Sequence, residues 1–185
     1  MFQPIRTRLA SGANRLIKCR LVRRLLRQQD GHAAVEFAFV ATPFLLLLFA
    51  ILQTAIVFFA DQALETAVAD SARLIMTGQA QNTGLTQETF KTEVCKHIYG
   101  LFDCGKMFVD VRTFSNFNYT LPSPIDADGN VVNNMLYQPG NAGDIVVVRL
   151  MYPLSVYVKL LGLGNMAGDQ RLLVATAVFR NEPYE

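Results

Sequence analysis

Phe37 to Ala60 reads FAFVATPFLLLLFAILQTAIVFFA, 24 residues without a charge. As a helix rising 1.5 Å per residue it reaches about 36 Å, more than the roughly 30 Å hydrocarbon core of a bilayer. The stretch is therefore expected to span a membrane with some tilt. It is too long for the apolar region of a secretory signal, which runs about 7–15 residues and ends at a small-x-small cleavage site. Ala67-Val68-Ala69 has those residue types but lies in a polar, helix-favouring segment well past the run.

The flanks set the orientation. Residues 1–31 carry eight Lys/Arg against Asp30 alone, a net +7, whereas the remainder holds nine basic and fourteen acidic residues, a net −5. No basic residue follows the run until Arg73. Cationic loops stay on the cytoplasmic side, so residues 1–31 are expected inside and residues 61–185 outside. Leu21, Val22, Leu25 and Leu26 interleave with Arg20, Arg23, Arg24 and Arg27 as in a helix lying on anionic headgroups. Membrane lipid, not nucleic acid, is the expected partner of this arm.

Just inside the run stands a carboxylate, in Gly31-His32-Ala33-Ala34-Val35-Glu36-Phe37. A carboxylate at the centre of a span costs roughly 2.5–3.5 kcal/mol, so Glu36 calls for a partner or a purpose. The alternative is that it reaches back to the cytoplasmic interface.

A small residue, four residues, then Glu and an aromatic at the head of an apolar helix resembles the processing site of type IV prepilins and pseudopilins. The longer pattern is Gly31 to Pro43, the Leu-rich run, Ala63-Leu64-Glu65-Thr66-Ala67, Ser71-Ala72-Arg73 and Thr77-Gly78. It resembles the TadE-like family, minor pseudopilin-type proteins of the tight-adherence (Flp) pilus machinery. His32 stands where that family often has a small or polar residue, and Glu36-Phe37 replaces Glu-Tyr. The resemblance implies that a membrane prepilin peptidase removes the leader between Gly31 and His32. It also implies other pilus or secretion components as partners, with residence in the bacterial inner membrane and association with the pilus. Glycine lacks a Cβ and presents an unhindered peptide to a protease. The new ammonium on His32 would lie four residues before Glu36, available to that carboxylate within one helix or to a neighbour's Glu36. The contrasting reading is an uncleaved, membrane-anchored sensor or binding protein.

The organisation expected is a leader at 1–31, a transmembrane helix at 32–60, a helical extension at 61–78 and an extracytoplasmic α+β domain at 79–185. The extension has no Pro or Gly before Gly78, which suits a helix C-cap. Ala60, Ala63, Ala67, Ser71 and Leu74 fall on one stripe, a packing seam either for another subunit or for the protein's own domain. Thr42-Pro43 is expected to kink the span.

Thr86 is expected to cap a second helix reaching about Phe102, with Phe90, Val94, Ile98 and Leu101 facing the core. Cys95 and Cys104 flank its end, and outside the inner membrane they are expected to form a disulfide; Cys19 falls in the leader. His97 between them gives only three candidate metal ligands at an unusual spacing, so no metal is expected. Residues 107–114, 144–152 and 171–180 read as strands of a small antiparallel sheet. Residues 115–143 read as a surface excursion with a short strand near Val131, in which Asp126 to Asn130 is a turn and not a calcium loop. Pro153 to Gly164 is either a short helix near the membrane surface or a core-covering connection.

No nucleophile motif, Gly-rich phosphate loop or metal set appears, and His97 is the only histidine beyond the helix start. The expected protein is not an enzyme and takes no cofactor or small-molecule substrate. Its expected role is pilus assembly by helix packing.

Overall fold

The structure, a computed structural model, describes residues 31–98, 100 and 102–184. The expected leader therefore lies outside the described residues except for Gly31, as does the Leu101 core position. The chain divides into a unit ending at Leu48 and a unit formed by Phe49–Glu185.

Helix α1, His32–Met76, is continuous for 45 residues. Ala, Leu and Phe dominate it, and Pro43 is its only internal breaker. The hydroxyls along it turn back onto their own helix: Thr42 Oγ1 donates to the Ala38 carbonyl at 2.7 Å and Thr54 Oγ1 to Ala50 at 2.9 Å. Such back-bonding satisfies hydroxyls that an apolar surrounding would leave unpaired. Gly78 ends the helix in the left-handed region at φ 75°, its N–H donating to the Ile75 carbonyl at 3.0 Å. The C-terminal tail closes over this end, where the Glu182 N–H donates to the Met76 carbonyl and the Tyr184 ring covers Gly78. A Cβ at position 78 would fall 2.4 Å from that ring.

A four-residue helix α2, Gln79–Asn82, leads to α3, Gln87–Lys96. Thr86 caps α3 in a reciprocal box with Thr89. The expected extension to Phe102 is corrected: the helix ends at Lys96, with His97 and Ile98 donating three residues back and Gly100 at φ 74°. The reason is Cys95, whose disulfide partner Cys104 lies nine residues on. A helix carried on to Phe102 would end about 10 Å along its axis from Cys95 and leave only two residues to bring Cys104 back within disulfide reach. The observed separation is 6.1 Å, so the chain has to double back.

The sheet is an antiparallel meander in the order β1 (Phe108–Phe114), β2 (Ile145–Ser155), β3 (Gln170–Arg180). Residues Pro153 to Ser155, expected in a connection, continue β2. Pro153 is tolerated because β1 ends its pairing at Met151, so beyond it β2 pairs only with β3. Of the two readings of Pro153 to Gly164, a short helix or a connection, the structure shows a connection whose one helical turn is a 3₁₀ turn, Lys159–Leu161.

One sheet face carries Val109, Val111, Val146, Val148, Leu150 and Leu173 into a core with Phe90 and Val94 of α3 and Leu64, Val68 and Ile75 of α1. The stripe of small residues is part of this core. Ala60, Ala67 and Ser71 are buried and Ala63 and Leu74 half-buried, so the seam packs on the protein's own domain. The excursion 115–143 covers the β1 edge and the β1–β2 part of the other sheet face, where Asp110 and Arg149 lie, while Val174 and Val178 on its β3 part stay exposed. The Val111 N–H donates to the Leu136 carbonyl, and the Gln138 N–H to the Val111 carbonyl. The strand expected near Val131 reduces to a single bridge with Ile125.

Candidate assembly and processing site

The first turns of α1 are open. Gly31, His32 and Glu36 are all exposed, and none of the ion pairs among the described residues involves Glu36. Among the described residues, a Cβ built on Gly31 would meet nothing within 4 Å.

Beyond Glu36 the helix presents apolar side chains on all sides: Phe37 is 73% exposed, Phe39 77% and Phe44 61%. Such a surface is unfavourable in water and suits lipid or other apolar helices. Burial along α1 begins only at Gln53.

The remaining candidate residues lie in the domain. Cys95 and Cys104 form a disulfide between the last turn of α3 and a 3₁₀ turn at Cys104–Lys106. Bonded to one another, they leave His97 without thiolate ligands. Among the described residues no group of three His, Cys, Asp or Glu comes together. Asp126 Oδ1 accepts from the N–H groups of Asp128 and Asn130, so its carboxylate is used in holding a turn.

A buried charge cluster escaped the sequence reading. Asp110 on β1 stands opposite Arg149 on β2, and both are almost fully buried. Asp110 Oδ2 accepts from Arg149 Nη2 and Nε and from Arg112 Nε, while Oδ1 accepts from the Leu136 N–H at 2.9 Å. Arg149 Nη1 donates to the Pro122 carbonyl at 3.0 Å and Arg112 Nη2 to the Asn134 carbonyl at 2.7 Å. Burial alone would raise the Asp110 pKa, but the Leu136 N–H and the two guanidinium groups outweigh it and hold the carboxyl below its ordinary value. The available signal was a charge interrupting two β-branched runs, Val109-Asp110-Val111 and Val148-Arg149-Leu150. Both Asp110 oxygens are occupied, so the cluster clamps the excursion onto the sheet and offers no free base. Nearby, burial pushes the Tyr137 phenol up to about 12, far from titration at neutral pH.

Neither a curated protein nor a solved structure matches the chain. A family model described as TadE-like protein matches residues 31–73. The match starts at the unhindered Gly31 and takes in Glu36, the exposed apolar shaft and much of the seam. Residues 31–73 of this chain are thus similar to TadE-like proteins.

Proposed function

We propose that this protein is a minor pseudopilin-like component of a Tad/Flp-type pilus or related secretion system, anchored in the bacterial inner membrane by the first half of α1. In this reading the domain lies on the periplasmic side, and a prepilin peptidase removes the basic leader between Gly31 and His32. Its partners are other Tad components, met through lateral packing of the exposed shaft. The observation that carries the reading is the TadE-like match beginning at Gly31, an exposed glycine whose added Cβ would meet nothing within 4 Å among the described residues.

After cleavage, the His32 ammonium and Glu36 become complementary charges at the head of an apolar helix. Within a bundle, Glu36 of one subunit would accept the ammonium of its neighbour, which offsets the cost of carrying a carboxylate into the membrane. In this reading the domain carries out no chemistry.

The test is the N-terminal sequence of the protein recovered from membranes of pilus-producing cells. A start at His32 is expected. A start at Met1 in piliated cells would overturn the maturation step and favour an uncleaved anchor.

A further inference from the structure

Among the described residues, Tyr157 is the most exposed large apolar side chain, at 83%. It follows β2 on the segment Val156-Tyr157-Val158-Lys159-Leu160-Leu161-Gly162-Leu163, in which Lys159 is the only charge. This loop is tied to α1: the Tyr157 N–H donates to Oε1 of Gln53 at 3.1 Å. Gln53 is buried and belongs to the uncharged run that ends at Ala60.

Helix geometry fixes the depth of that tie. Gln53 precedes Ala60 by seven residues, about 10 Å along the axis. The run exceeds the hydrocarbon thickness by about 6 Å, so even with all the excess on the domain's side Gln53 stays about 4 Å inside the border. That displacement already carries Phe58 and Phe59 past the border, and withdrawing the helix further would add Ile56. These side chains are 65%, 66% and 48% exposed, on the part of α1 that the domain leaves uncovered.

We propose that the loop 156–163 enters the leaflet facing the domain, with Tyr157 and Leu161 in the interfacial region and Lys159, ion-paired with Asp169, at the level of the headgroups. The proposal rests on reading Phe37–Ala60 as a membrane span. Tyrosine suits this level because its ring is apolar and its hydroxyl polar, and lysine because its stem is apolar and its ammonium reaches water. The tie satisfies Gln53 Oε1 where lipid offers no donor, and Gln53 Nε2 is buried without a hydrogen-bond partner among the described residues. The domain would then stand partly sunk in the membrane, restricted in its rotation about α1.

The chain contains no tryptophan, so a single one reports its own depth. Full-length protein carrying Tyr157→Trp would be reconstituted in vesicles of phosphatidylcholine and phosphatidylglycerol, with and without brominated acyl chains, beside Phe58→Trp, Leu46→Trp and Phe117→Trp. Blue-shifted Tyr157→Trp emission, quenched by bromine as strongly as that of Phe58→Trp, is expected, with Phe117→Trp unaffected. Tyr157→Trp emission that stays red and unquenched while Phe58→Trp is quenched would overturn the loop's insertion and leave the span intact. Equal quenching at Tyr157 and Phe117 would overturn it as well. Absence of quenching at Leu46→Trp would instead remove the span on which the proposal rests.

Discussion

The two halves of α1 share one backbone conformation and treat their apolar side chains in opposite ways. From Val35 to Leu52 nearly every large side chain is exposed, whereas from Val57 to Ile75 the same helix buries Val57, Leu64, Val68 and Ile75 against a sheet. Hydrophobicity alone does not tell the halves apart. The difference lies in the residues between the apolar ones: the second half inserts Asp61, Glu65, Asp70 and Arg73 and so acquires a wet side, leaving its apolar stripe for its own domain. The first half has no wet side and needs an apolar environment from outside the chain.

Two carboxylates repeat the contrast. Asp110 is buried and has both oxygens occupied, so its charge is answered within the fold. Glu36 is exposed and takes part in none of the ion pairs among the described residues. A buried charge must be paired where it stands, whereas one on an open helix can wait for a partner that arrives with assembly.

The contrast breaks most visibly at Asp110. Asp110→Ala leaves two guanidinium groups without their carboxylate and is expected to cost about 3–5 kcal/mol in urea unfolding of the detergent-solubilised chain. Because its pKa is depressed on folding, Asp110 contributes stability that is fully present above its unfolded value of about 3.9 and is lost as pH falls through the folded value. The wild-type protein should therefore lose this contribution in acid below about pH 4, and Asp110→Asn should lack that part of the pH dependence. An Asp110→Ala protein as stable as wild type would refute the clamp.

Next in size is a paired test on α1 itself. Leu64→Ala should destabilise the domain by about 2–5 kcal/mol, while Leu46→Ala should change the same transition by less than about 0.5 kcal/mol. Equal effects would erase the distinction between the halves. Replacing Cys95 and Cys104 together by Ser should cost about 2–3 kcal/mol, given the short loop they close. Mass analysis should find no free thiol at either position in unreduced protein. The smallest expected effect is Gly78→Ala, about 1–2 kcal/mol from the left-handed backbone and the displaced Tyr184 ring, measurable as a lowered Tm.

Much of this was legible in the residues. An uncharged run of 24 residues admits few readings, and the caps at Gly78 and Thr86 and the β-branched strands β2 and β3 were signalled locally. The end of α3 was misjudged because Phe90, Val94 and Ile98 keep helical spacing past the point where the disulfide turns the chain back. The excursion read as surface because its polar composition hides its task, which is to cover Asp110 and Arg149 on the second sheet face through backbone groups at Pro122, Asn134 and Leu136. The candidate processing residues were readable as a pattern. The open space around Gly31 was not.

By itself, the sequence determined the apolar span, the asymmetry of charge about it, the α+β content and the motif at Gly31 to Phe37, because these depend on composition and spacing along the chain. Tertiary structure decided that the small-residue seam faces the protein's own sheet, that Asp110 meets Arg149, and that Gln53 holds the loop at Tyr157. Those are encounters between residues 39 to 104 positions apart or spread over several elements. Their partners are chosen by register and packing in three dimensions, which no local pattern encodes.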